Sequence, residues 1–250
     1  MSDSHLRVRS ISEIVDAAVE LYRRNGMQYI TAAAIATAPS IILNLILNGG
    51  GEPTSLAGVM ALLPGMIIGV ITYAIVSATI IRMGSDVYLG SEPDVAATVR
   101  NVLPLVPTLI GASFVTTLLL AIAAVFFFFP VFYALALLFA TVPIIVLERK
   151  GVFGALSRSA ELSKNRKKHI LGTLLLVYGI FFVLSIGVSA LATVMGNYVV
   201  QLVVQSLFSI VASPILNLVV MVLYYDARIR AEGFDVEHMA GSMGSTSPLS

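Results

Sequence analysis

The apolar positions of this chain fall in long unbroken runs rather than at the spacing of a surface helix. Six segments carry no Asp, Glu, Lys or Arg: Met27–Leu47, Ala57–Ile81, Leu105–Val125, Val131–Leu147, Ile170–Met195 and Tyr198–Tyr225. Each has the length of a membrane span, since roughly 17–25 residues cross a hydrocarbon core. The third and fourth are joined without any charge, from Leu105 to Leu147. As one helix that run would measure about 64 Å, twice the hydrocarbon core, so it must fold back. Phe126–Phe129 followed by Pro130 is the expected reversal, because Pro cannot continue a helix without losing a hydrogen bond. Gly196-Asn197 provides a similar short turn. The predicted fold class is therefore all-α: a polytopic membrane protein with six transmembrane helices arranged as three hairpins.

The segment before each hairpin has helix character of a different kind. Ser10-Ile11-Ser12-Glu13 is a capping box opening a stripe of Ile11, Ile14, Val15, Ala18 and Tyr22. Ser91-Glu92-Pro93-Asp94 starts a second short helix, with Pro93 expected in its first turn. In a third, Val152, Phe153, Leu156 and Ala160 share a face, with Leu162 opposite. Three copies of interfacial helix plus hairpin are the expected repeat. Residues 1–26 read as a cytoplasmic segment with an amphipathic helix, and 27–225 as the membrane domain. Residues 226–250 read as a cytoplasmic tail, disordered from about 240, where small polar residues lack periodicity. Ala36-Thr37-Ala38 resembles a cleavage site, but its apolar run continues to Leu47 and reads as a retained span.

Composition agrees with the pattern: 58% of residues are hydrophobic and only 12% charged, too few to coat a water-facing surface. Charge then orients the spans. All 15 Lys and Arg lie in the N-terminal segment, the second and fourth connections, or after the last span; the first, third and fifth connections have none. The positive-inside rule places both termini in the cytoplasm. Seven of the 15 lie in "ERKGVFGALSRSAELSKNRKKH", Glu148 to His169: Arg149, Lys150, Arg158, Lys164, Arg166, Lys167 and Lys168. They are the candidate contacts for anionic lipid headgroups or a protein partner, each contributing about 1 kcal/mol near an anionic leaflet.

Candidate chemistry is sparse. Cysteine is absent, and His5, His169 and His238 are dispersed, so no metal or cofactor is expected. The basic stretch has Phe153 as its one aromatic residue, which argues against nucleic acid. Besides scattered Ser and Thr, polar residues inside the spans include Asn44, Gln201, Gln205 and Asn217. Interhelical hydrogen bonding is their expected role; the alternative is a polar solute path along Asn44, Gln205 and Asn217. Pro39, Pro64, Pro143 and Pro214 are expected to kink spans. Gly65 and Gly69 form a GxxxG pair suited to close packing within the chain.

Three stretches together resemble a known family: "VPIIVLERKGVFGALSRSAELSKN" from Val142, "YYDARIRAEGFDVEH" from Tyr224, and "SISEIVDAAVELYRRN" from Ser10. They are similar to the bacterial membrane domain found fused to glycerophosphodiester phosphodiesterases, and to its stand-alone relatives. The resemblance extends to about His238. It implies a six-helix membrane domain, with catalysis in the fused relatives belonging to a separate soluble barrel. Beyond His238 there is no room for such a barrel, so phosphodiesterase activity is not expected here. Within these motifs Glu148 and Asp226 sit where spans should meet the cytoplasm, as structural ion pairs or as a headgroup or partner site. The expected function is a non-catalytic membrane scaffold or lipid- and partner-binding module, and the alternative is a transporter of a neutral or lipid-like solute.

Overall fold

The structure is a computed structural model that describes residues 8–48, 63–125, 128–196 and 198–232. Every regular element among them is helical: α1 (Ile11–Asn48), α2 (Leu63–Tyr88), α3 (Val95–Val102), a 3-10 turn (Leu103–Leu105), α4 (Val106–Val125), α5 (Phe128–Leu138), α6 (Thr141–Glu148), α7 (Val152–Leu162), α8 (Lys167–Val194) and α9 (Tyr198–Glu232). Six stretches are long and apolar enough to cross a membrane. The chain is a multi-pass integral membrane protein.

The helix starts follow local chemistry. The Ser10 amide donates to the Glu13 carboxylate at 2.8 Å, and the Glu13 amide donates to the Ser10 hydroxyl at 3.4 Å. This is the reciprocal capping box. The helix it opens and the first span, both within the α1 range, meet at a kink at Asn25, whose backbone is non-helical (φ −126°, ψ 23°). α3 starts after Asp94, whose carboxylate accepts the Ala97 amide at 3.0 Å. Pro93 lies ahead of that cap, not in the first turn as expected. At the other end, α9 runs on to Glu232, so the first residues assigned to the tail are helical, and Asp226, Ala227 and Ile229 are buried. The remainder of the tail, including the segment from about 240, lies outside the described residues, as do Ala57–Leu62 of the expected second span.

The fourth span departs most from expectation. Instead of one helix it is two, α5 and α6, interrupted at Phe139-Ala140. Pro143 accounts for the position: it has no N–H to give the Phe139 carbonyl, and its ring would crowd that group in a continuous helix. Backbone groups freed at membrane depth need new partners. Ser159 of α7 supplies them, its hydroxyl donating to the Leu137 carbonyl at 2.7 Å and accepting the Ala140 amide at 3.1 Å.

α1, α2 and α9 pack on one another, α8 lies along α9, and α4 packs on α5 and α2. The tightest core gathers toward one end, with Ile80 and Met83 of α2, Ile144 of α6 and Leu218 of α9 sealed from solvent. Gly84 lets α2 and α9 meet there, since a Cβ at that position would overlap Leu218. Of the GxxxG pair, Gly65 faces Asn44 of α1 within the chain, whereas Gly69 faces open space. Away from the tight end, Phe114, Phe182, Val183 and Leu191 project from α4 and α8. Such exposure is no penalty where the solvent is lipid tail.

Candidate functional site

Charged side chains collect at the tight end of the bundle, where α6, α7, α8 and α9 come together with the residues preceding α1. The sequence Tyr224-Tyr225-Asp226 forms the hub because its three side chains reach three different elements. Tyr224 donates to Glu148 of α6 at 2.9 Å. Tyr225 shares a buried 2.7 Å hydrogen bond with Ser85 of α2 and stacks on Tyr88. Asp226 accepts the Arg9 amide at 2.7 Å, across 217 residues of sequence.

Asp226 is almost wholly buried, and a buried carboxylate must be compensated. Arg230, one helical turn on, donates to its second oxygen at 2.7 Å and to the Arg9 carbonyl at 2.6 Å. His169 approaches the same carboxylate at 3.4 Å. Glu148 is held comparably, by Arg158 at 3.3 Å and Lys150 at 3.4 Å in addition to Tyr224. Arg158 also bridges to Glu161 at 3.1 Å and to Glu232. Burial alone would lower the Arg158 pKa. Hydrogen bonds to Glu232 and Glu161, with the charge of Glu148, outweigh it and raise the pKa above the ordinary arginine value. The guanidinium is a fixed positive charge locking α7 to α6 and α9.

The seven cations proposed from the sequence therefore divide. Arg158 points into the bundle. So does Arg166, which donates to the Ala227 carbonyl at 3.0 Å and to that of Arg230. Burial, then the like charge of Arg230, lowers its pKa, with Asp226 opposing. Arg149 takes a left-handed backbone at the end of α6 and donates to the Asn101 carbonyl at 3.2 Å. Lys150 pairs with Glu148. Lys164 and Lys168 are exposed, and Lys167 lies 5.0 Å from the ring centre of Tyr133 on α5.

Asn165, Arg166, Lys167, Lys168, His169 and Arg230 surround a cleft of about 600 Å³ that no acidic side chain among the described residues lines. No side chain caps the α8 amides beside it, and such an end is electropositive. The arrangement suits attraction of anions. Among the described residues, no three His, Asp or Glu side chains converge to ligate a metal ion.

The polar residues of the spans are not gathered into one place. Asn44 and Asn217 donate to the Ser40 and Ser213 carbonyls of their own helices, each at 2.8 Å. Neither they nor Gln205 line the large cavity of the bundle, an apolar space of about 1150 Å³ between α2, α4, α5, α6 and α8.

On α7 the expected face is corrected. Ala155, Ser159 and Leu162 are buried while Phe153 is 77% exposed, because Ser159 must reach the break in the fourth span. Sequence reasoning missed Ser159, Tyr224 and Arg230. Pro143 in the fourth span was the available signal for the first; the repeated charge and tyrosine of "YYDARIR" was the signal for the others.

No curated protein and no solved structure matches the chain. A family model does match, over residues 105–228, described as the membrane domain of glycerophosphoryl diester phosphodiesterase. The match takes in Glu148, Arg158, Ser159, Tyr224 and Asp226, the residues that tie the charged end together. Through that match residues 105–228 are identified with the membrane domain of glycerophosphoryl diester phosphodiesterase.

Proposed function

We propose that this protein is a non-catalytic membrane module of a bacterial inner membrane, with both termini cytoplasmic, whose basic cytoplasmic face engages anionic lipid and presents a docking surface for a protein partner. The observation that carries the reading is the separation of charges at the tight end. Glu148, Asp226 and Glu232 are engaged by arginines within the bundle, whereas Lys164 and Lys168 stay exposed beside a cleft that no acid among the described residues lines. Around that cleft the described side chains direct positive charge outward. Lipid engagement stands ahead of solute transport because Asn44, Gln205 and Asn217 do not line the large cavity.

The test is lipid enrichment around the reconstituted protein, read with spin-labelled anionic lipid. Lys164→Gln with Lys168→Gln should lower enrichment by a few kcal/mol at most, since each lysine contributes about 1 kcal/mol. The effect should shrink with salt, because attraction fades beyond a Debye length of about 8 Å at physiological ionic strength. Enrichment that is unchanged by both substitutions and by salt would refute the reading.

A further inference from the structure

One face of α8 changes character along its length. Lys167, Leu171, Leu174, Leu175 and Tyr178 follow at helical spacing, so they stand above one another. Lys167 belongs to the basic cleft. The other four form a wall of the 1150 Å³ cavity. Across from them, α5 presents Tyr133 beneath the Lys167 ammonium and Leu135 and Leu138 in the cavity wall. From Lys167 to Tyr178 the helix rises about 16 Å, close to half of a hydrocarbon core of about 30 Å.

We infer that this groove seats one anionic diacyl phospholipid, its phosphate at Lys167 and an acyl chain in the cavity between α2, α4, α5 and α8. The inference rests on the lipid reading above and names its specific site. An apolar space of this size at membrane depth does not stay empty, and it offers water few polar partners. A wholly apolar ligand would use the cavity but have no need of the lysine. A soluble anion would use the lysine but not the cavity. An amphiphile with an anionic head and a chain one leaflet long uses both, and charge complementarity at the mouth selects the anionic kind.

The experiment is native mass spectrometry of the full chain with equal phosphatidylglycerol and phosphatidylcholine. One phosphatidylglycerol per chain should survive. Lys167→Gln should reduce its retention about fivefold, the factor one lysine contributes beside an anionic headgroup, and abolish the preference over phosphatidylcholine. Gly69→Phe should remove the lipid, because Gly69 lines the cavity and faces open space. A second readout keeps the native packing of α2: the chain has no Trp, so Tyr178→Trp is a lone reporter inside the cavity. One equivalent of phosphatidylglycerol with brominated chains should quench it. Glycerol 3-phosphate should neither quench nor displace. Absence of quenching, undiminished retention in a folded Gly69→Phe protein, or displacement by glycerol 3-phosphate would each overturn the site. Enrichment that falls with Lys164 and Lys168 while the single lipid is insensitive to Gly69 would leave the surface reading standing and sink this one. The reverse pattern would do the opposite.

Discussion

Asp226 joins the segment before α1 and His169 of α8 to α9. It is 2% exposed, and its two oxygens receive a backbone amide from before α1 and a guanidinium from α9. Removing one member of a buried pair typically costs about 3–5 kcal/mol, because the other is left uncompensated. Arg230 is part-exposed and can turn to solvent, so Asp226→Ala should fall at the low end, about 3 kcal/mol. Asp226→Asn should be milder, since it keeps an acceptor for the Arg9 amide. Thermal unfolding in one detergent would check both; an Asp226→Ala protein as stable as wild type would remove the residue from this role. Asp226 and Glu148 were legible in the sequence as charges at span ends. Their distant partners were not, because Arg9 lies 217 residues from Asp226 and Tyr224 lies 76 from Glu148.

Among the elements, α7 is held in a way its sequence does not imply. A short segment with an apolar stripe reads as a helix floating at the interface. Here it is pinned by two contacts on adjacent residues: Arg158 to Glu148 of α6 and Glu232 of α9, and Ser159 to the backbone gap between α5 and α6. Ser159→Ala should leave the Ala140 amide without that partner and destabilise the protein by about 1–3 kcal/mol. Faster amide exchange at Ala140 should accompany the loss. A substitution silent in both measurements would mean that other groups satisfy the break. Pro143 announced an interruption somewhere in the fourth span. Nothing marked Ser159 as its complement, because a serine on a short helix reads the same whether it faces water or a gap.

At the scale of the whole molecule, orientation and solvent exposure belong together. The tight end is dense in charge, and the long helices beyond it expose apolar side chains, an order suited to a bundle held at one membrane face. The proposed orientation places that end in the cytoplasm, on the strength of 15 Lys and Arg confined to alternate connections. Reporter fusions after Arg100, Ser163 and Ser250 should report the cytoplasm, and a fusion after Thr54 the outside. An external signal at Ser163 would invert the charged face and with it the proposed engagement of anionic lipid.

The sequence alone determined the class, the number of spans and the charged segment, because each depends on composition summed over tens of residues. Hydrophobic length is a local property, and a run of 20 apolar residues has few fates but a bilayer. Caps were legible for the same reason: Ser10 and Glu13 meet across one helical turn. Only the tertiary structure decided which cations face inward. Arg158 and Arg166 cannot be told from Lys164 and Lys168 until Glu232 and the end of α9 are brought beside them. It also decided that the fourth span is broken, that α7 is docked by Ser159, and that Lys167 stands above an apolar cavity. Each of these depends on a partner distant in sequence, and a charge or hydroxyl takes its role from whichever partner packing delivers.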